Sequence, residues 1–213
     1  MMSFALMGRR RGIQAALALL AAASGWPRAK ADPAAVAPIR ELCDSLLGIM
    51  RAGRSTPFGR RFDTLAPTIE HAFDLQAILQ LSVGPSWGTL SPADQTTLLT
   101  AFRRYTIANY VNSFDNYTGQ RFDVLPDTKA LPNGEQVAQT RIISSSGETH
   151  ELDYVMRQEP SGWRAVDVLA DGSISRVAVQ RSDFRRLVAG GGAKALIQSL
   201  NQKTTDLSGG ALS

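Results

Sequence analysis

The sequence predicts an α+β domain in which N-terminal helices pack on a twisted antiparallel sheet with a C-terminal helix. Three observations predict it. Apolar residues recur at helical spacing from residue 36 to about residue 117. Beyond that the period changes to two, and the breaks between runs are short turn sequences. Helical spacing then returns after Ser182-Asp183. Helices grouped before and after a run of hairpin-connected strands define this class.

The elements follow in order. Val36, Ile39, Leu42, Cys43, Leu46, Leu47 and Met50 form one apolar stripe, and Gly53 and Pro57 punctuate its end. Residues 58–62 and 69–73 read as short helical pieces broken around Pro67, since an interior proline removes a helix hydrogen bond. Asp74 caps a helix carrying Leu75, Ile78, Leu79 and Leu81, which Gly84-Pro85 stops. Ser91-Pro92-Ala93-Asp94 combines a serine N-cap, a proline at the first position and an acid near the helix dipole. The helix it starts carries Leu98, Phe102, Tyr105, Ala108, Val111 and Phe114. Five strand-like runs follow at 121–125, 135–143, 150–157, 163–169 and 173–180. Pro132-Asn133-Gly134, Ser144 to Gly147, Pro160-Ser161-Gly162 and Asp171-Gly172 separate the later ones, and such short links make hairpins. The last helix carries Phe184, Leu187 and Val188, is interrupted by Gly190-Gly191-Gly192, and resumes through Ala195, Leu196, Ile197 and Leu200. Residues 206–213 read as a flexible tail.

Composition narrows the function. The chain has 213 residues, 44% hydrophobic and 20% charged, which excludes collagen-like, coiled-coil and fully disordered classes. One cysteine excludes an internal disulfide framework and a Cys-rich zinc module, and two histidines leave little for a His-based metal site. The net charge of +4 suggests nucleic acid only until its distribution is read. Arg9, Arg10, Arg11, Arg28 and Lys30 all precede residue 32, with no acid among them. Without those five, 18 basic residues face 19 acidic ones, so residues 32–213 have no cationic excess.

The first 31 residues have the three parts of a secretory signal: the Arg9–Arg11 cluster, a twelve-residue apolar run from Gly12 to Ala23, and Ala29-Lys30-Ala31 as a small-x-small cleavage site. Twelve residues of helix span about 18 Å, too short for a hydrocarbon core of about 30 Å. The expected organisation is a cleaved signal (1–31), one domain (32–205) and the tail (206–213). The expected compartment is the periplasm, where a lone buried thiol such as Cys43 is tolerated.

Catalytic motifs are scarce. The sequence has no G-x-S-x-G, H-E-x-x-H, P-loop or G-x-G-x-x-G pattern. The glycine run lacks the directly following Lys-Ser/Thr and the preceding strand of a phosphate cradle and reads as a helix break. Cys43 lies on an apolar stripe and reads as a packed thiol. Asp153 and Asp167 sit inside strands beside apolar residues. They are either cavity carboxylates doing acid–base work or surface acids paired with Arg141 or Arg164. The arginines near 51–61, 103–104 and 181–186 read either as solvated helix faces or as groups that meet anionic lipid headgroups or an acidic partner. Phe102, Tyr105, Tyr154, Met156, Trp163, Val166, Val168 and Val177 fit a plain core or the lining of a greasy pocket equally well. Alternation puts Val166 and Val168 on one face of their strand, and Trp163, Ala165 and Asp167 on the other.

A resemblance favours the pocket. Asp153-Tyr154-Val155-Met156, Gly162-Trp163-Arg164-Ala165-Val166-Asp167-Val168, Asp171-Gly172-Ser173-Ile174-Ser175 and Gln180-Arg181-Ser182-Asp183-Phe184 stand in that order. They are followed by the glycine run and Ala195 to Lys203, and preceded by Gly84-Pro85-Ser86-Trp87 and Ser91-Pro92. Together they resemble the MlaC, or toluene-tolerance, family of periplasmic lipid-binding proteins over most of residues 36–203. The segment 174–184, one residue longer than the usual pattern, is more similar to the hopanoid-associated HpnM branch. The resemblance implies a monomeric lipid carrier without cofactor, metal or catalytic residues. Its cargo would be a hopanoid or a phospholipid, and its partners inner-membrane transporter and outer-membrane lipid-handling proteins, with no nucleic acid. The expected lipid-binding residues are Phe102, Tyr105, Tyr154, Met156, Val166, Val168 and Val177. The rival expectations are a small-molecule enzyme of a curved-sheet cone fold using Asp153 or Asp167, and a ligand-free adaptor.

Overall fold

The computed structural model describes residues 31–212. A 3₁₀ turn (Pro33–Val36) leads into α1 (Ala37–Ala52), α2 (Phe58–Ala72) and α3 (Leu75–Val83). A second 3₁₀ turn (Gly84–Thr89) precedes α4 (Pro92–Ser113). Strands β1 (Arg121–Ala130), β2 (Gln136–Ile143), β3 (Thr149–Glu159), β4 (Gly162–Ala170) and the two-residue β5 (Ile174–Ser175) come next, and α5 (Arg176–Leu207) follows them. The strands are hydrogen-bonded in chain order and antiparallel throughout, the expected α+β meander.

Local chemistry explains the helices. The α1 stripe is buried: Ile39, Leu42 and Leu46 are fully shielded. Cys43 is packed among them, and burial, helped by the neighbouring Asp44 charge, pushes its thiol up to about 12. The Asp74 carboxylate accepts from the Ala77 N–H at 2.9 Å, and the Ser91 hydroxyl accepts from the Asp94 N–H at 3.1 Å. Pro67 does not break α2, contrary to expectation. An interior proline costs about 3 kcal/mol. Burying Leu65 and Ile69, both fully shielded, returns about 1.5–3 kcal/mol each, so packing outweighs the lost hydrogen bond.

Where α2 meets α3 the chain is joined to the sheet. Phe73 bridges to Ala165 of β4 in parallel, and the Asp74 N–H donates to the Ala165 carbonyl at 3.0 Å. The α2–α3 corner is thereby fixed against the middle of β4.

The expected alternation along β4 does not hold, because the strand carries a β-bulge. Val155 pairs with Asp167 while Met156 pairs with Ala165, which leaves Val166 without a partner of its own. Tyr154 and Met156 lie two apart on one face of β3, and their partners Val168 and Ala165 share it. Trp163 and Ala165 before the bulge and Val168 and Ala170 after it therefore look toward the helices. Val166 is also buried, 2% exposed, but it is not part of the main apolar cluster. One extra residue thus separates Val166 from the face of Val168.

The fifth strand is shorter than expected and the last helix starts earlier. Ser175 is an N-cap: its hydroxyl accepts from the Ala178 N–H at 2.9 Å and donates to the Asp167 carboxylate. Asp167 also accepts from the Val168 and Val177 N–H groups, at 2.7 and 3.1 Å. Capping at Ser175 converts 176–180 from strand to helix. The glycine run interrupts α5 as expected: Gly191 and Gly192 leave helical geometry, and Gly192 has φ +63°. A side chain at Gly191 would meet the Ala195 Cβ at 2.7 Å, and this neighbour cannot rotate away. Gly191→Ala is expected to destabilise the fold by about 1–3 kcal/mol, read as a lower denaturation midpoint. An unchanged midpoint would mean that the two halves of α5 adjust freely.

After Leu207 the chain, expected to be a loose tail, is docked. Ser208 is buried, and the Arg104 guanidinium donates to the Leu212 carbonyl at 2.8 Å.

Candidate functional site

A cavity of about 280 Å³ opens between the helices and the sheet. Phe73, Leu75 and Ile78 wall one side. From α4 come Phe102, Tyr105, Thr106, Asn109, Tyr110 and Ser113, with Phe114 just beyond. The floor is Leu152 of β3 with Asp167, Val168 and Ala170 of β4, and Arg176, Val177 and Gln180 of α5 close it. A line of aromatic contacts runs along its edge. Phe73 meets Tyr110 with ring centroids 5.6 Å apart, Tyr110 stacks on Phe114 at 6.0 Å, and Phe114 meets Phe122 at 6.0 Å. Such offset and tilted rings form a stiff, apolar wall.

The structure brings four of the expected residues to this cavity: Phe102, Tyr105, Val168 and Val177. Tyr154 and Met156 do not line it. Both are fully buried in the main core, Tyr154 behind the wall with its ring 6.0 Å from that of Phe73. Val166 does not line it either, because of the bulge. Sequence reading missed Leu75, Ile78, Asn109, Tyr110, Leu152 and Arg176. Asn109 and Tyr110 follow Tyr105 by about one turn of α4, and that periodicity was a usable signal. Arg176 was read as strand, and its place became visible only with the Ser175 cap.

The two aspartates do not converge. Asp153 does not line the cavity; it is 6% exposed and accepts from Gln139 Nε2 at 3.5 Å. Neither expected arginine pairs with it: Arg141 lies 3.5 Å from Glu151 instead. Asp167 lines the cavity, but its oxygens are occupied by Val168, Ser175 and Val177 as described, which makes it the knot of the β4–β5–α5 turn. Burial raises the Asp153 carboxyl above its ordinary 3.8, while Gln139 partly opposes it. A raised native pKa penalises the charged form. The contribution to stability is therefore fullest below the ordinary value and is lost as pH rises through the native one. Asp153→Asn is expected to be more stable than the parent at pH 7, with the gap closing in acid. Asp167→Asn is expected to lose about 1–3 kcal/mol through its broken hydrogen bonds. Loss of function in either variant with the fold intact would favour an acid–base role.

Among the described residues no group of three or more His, Cys, Asp and Glu side chains could hold a metal. No helix among them is long and apolar enough to cross a membrane. Of the arginines expected on solvated faces, Arg54 and Arg186 are exposed and pair with Asp115 and Asp183, each at 2.7 Å, and Arg103 pairs with Glu70, whereas Arg61 is buried and donates to the Thr56 and Val111 carbonyls.

The MlaC protein family model matches residues 40–202. The chain belongs to the MlaC family. No curated protein sequence matches it closely enough to report. Among solved structures, the phospholipid-binding protein from Ralstonia solanacearum, determined in complex with a phospholipid, has the same fold. The two share 21% identity and a TM-score of 0.70, over 82% of this chain and 98% of the other. The MlaC match covers α1 through most of α5, and so includes every element that walls the cavity.

Proposed function

We propose that this MlaC-family chain is a lipid carrier of the periplasm, and that Phe102, Tyr105, Val168 and Val177 touch the lipid tails. The observation that carries this reading is an apolar cavity between helices and sheet, set in a family fold whose Ralstonia relative holds a phospholipid. Exposing a tail of about fourteen methylenes to water costs roughly 11 kcal/mol at about 0.8 kcal/mol each. A carrier removes that barrier by replacing bilayer with side chains. At about 280 Å³ the cavity lies just below the size of small-ligand pockets, so a two-chain lipid enters as the walls yield.

In this reading residues 1–31 are removed on export, and the domain shuttles cargo between inner- and outer-membrane complexes whose differential contacts bias loading and release. The cargo is a phospholipid or a hopanoid. Asp153 and Asp167 serve structure rather than proton transfer.

The test is native mass spectrometry of the protein purified from its own envelope. The expected species begins at Asp32 and carries one lipid. Protein that arrives empty would overturn the carrier reading, and an intact N-terminus in washed membranes would overturn the shuttle.

A further inference from the structure

The cavity wall is mostly apolar, with polar side chains contributed by α4 and α5. Arg176 and Gln180 lie four residues apart on α5, so they share one face of that helix. Tyr105 and Asn109 lie four apart on α4, and all four residues line the cavity. Among the described residues the Arg176 guanidinium has no ion pair and no hydrogen bond. The single carboxylate of the lining, Asp167, does not neutralise it, being held by Ser175 and two backbone N–H groups. Burial raises the Tyr105 and Tyr110 hydroxyl pKa values, and the Arg176 charge acts on both in the opposite sense, so the cation lies near both phenols. Gln180 accepts from the Ser82 hydroxyl at 3.3 Å through its carbonyl oxygen, which leaves its NH₂ to donate. Arg176 is exposed while Val177 beside it is buried, so the charge marks the rim rather than the depth. The surroundings reinforce its sign: residues 176–186 contain four arginines against the one acid Asp183.

We infer that Arg176, helped by the amides of Gln180 and Asn109, is an anion site at the mouth of the cavity. There it takes the phosphodiester of a lipid headgroup and makes the pocket selective for phospholipid over a neutral amphiphile with the same tails. This rests on the carrier reading and deepens it. An unpaired guanidinium costs nothing while wet, but at the rim of a greasy cavity it gains from a phosphate, to which it offers two parallel donors. Such a contact favours a headgroup without adding to tail burial, so it appears as selectivity rather than as capacity.

The experiment loads lipid-stripped protein with two probes of identical tails, dioleoyl phosphatidylglycerol and dioleoylglycerol, and reads occupancy by native mass spectrometry. Wild type should prefer the phosphatidylglycerol. Arg176→Gln, checked for native circular dichroism, should lose roughly tenfold or more of that loading, the size of one charge-assisted hydrogen bond, with dioleoylglycerol unchanged. Arg176→Lys should recover part of it, since a point charge replaces the fork. An unchanged lipid ratio in folded Arg176→Gln would overturn the headgroup site and leave the carrier reading intact. Failure of wild type to load either probe would overturn the carrier reading itself. Saturable binding of inorganic phosphate alone to the stripped protein, lost in Arg176→Gln, would make this a free-anion site and overturn the lipid assignment.

Discussion

Val168→Glu is expected to give a folded protein stripped of lipid, and Val166→Glu, two residues earlier, is expected not to fold. Val168 is half-buried and lines the cavity, so a carboxylate there can draw water into space the cargo vacates. Tails packed against that charge would leave it desolvated without a partner, at a cost of several kcal/mol or of forced protonation. Cargo leaves and the domain stays. Val166 is 2% exposed and away from the cavity, so its carboxylate meets packed protein and the same penalty falls on folding. Against a typical domain stability of about 5–15 kcal/mol, several kcal/mol is decisive. Circular dichroism together with extracted-lipid analysis separates the two outcomes. A folded, fully loaded Val168→Glu would show that this position does not meet lipid. A folded but empty Val166→Glu would reverse the assignment of faces along β4.

Phe102→Ala is expected to have the largest effect on stability of any substitution in the cavity wall. The side chain is 1% exposed and meets Phe184 of α5 edge to face at 6.0 Å, so it ties α4 to α5. Truncating a buried phenylalanine costs about 3–5 kcal/mol through lost burial and the void left behind. For a domain of this size that lowers Tm by roughly 10 °C. The void adjoins the cavity, so the variant should also accept bulkier cargo, and bound lipid should restore part of the lost stability by mass action. Thermal denaturation of stripped and loaded protein measures both. A loss under about 1 kcal/mol in stripped protein would mean that the α4–α5 contact is already loose.

Much of this architecture was legible in the residues. The stripe of α1, the caps at Asp74 and Ser91, the hairpin turns and the break at Gly191-Gly192 each rest on a local rule that the fold obeys. Cys43 was legible for the same reason, because a thiol on a buried stripe is a packed thiol. Readings failed where a distant contact outweighed a local rule. Pro67 remains inside α2 because burial of its neighbours exceeds the cost of a lost hydrogen bond. Residues 176–180 became helix because Asp167 and Ser175 together cap it from the sheet. The cavity was only half legible, since core and pocket draw on the same apolar residues. Tyr154 and Met156 went to the first and Phe102 and Val168 to the second, and no periodicity separates them.

The unpaired residue in β4 has a consequence for how that strand accepts change. Upstream of Val166 the positions facing the helices are odd-numbered, Trp163 and Ala165; downstream they are even, Val168 and Ala170. The strand carries a half-cycle slip, like a dislocation in a row of atoms. Deleting Val166 would bring the two halves into step with both still facing the helices, whereas a deletion elsewhere in the strand, with the slip kept, would turn one half inside out and exchange pocket wall for outer surface in a single event. Saturation mutagenesis across 163–170 should show the same slip. Charge should be rejected at every second site, then across two adjacent sites where Val166 follows Ala165, and then at the even sites alone. Single-residue deletions away from Val166 should be lethal to the fold at positions where many point substitutions pass.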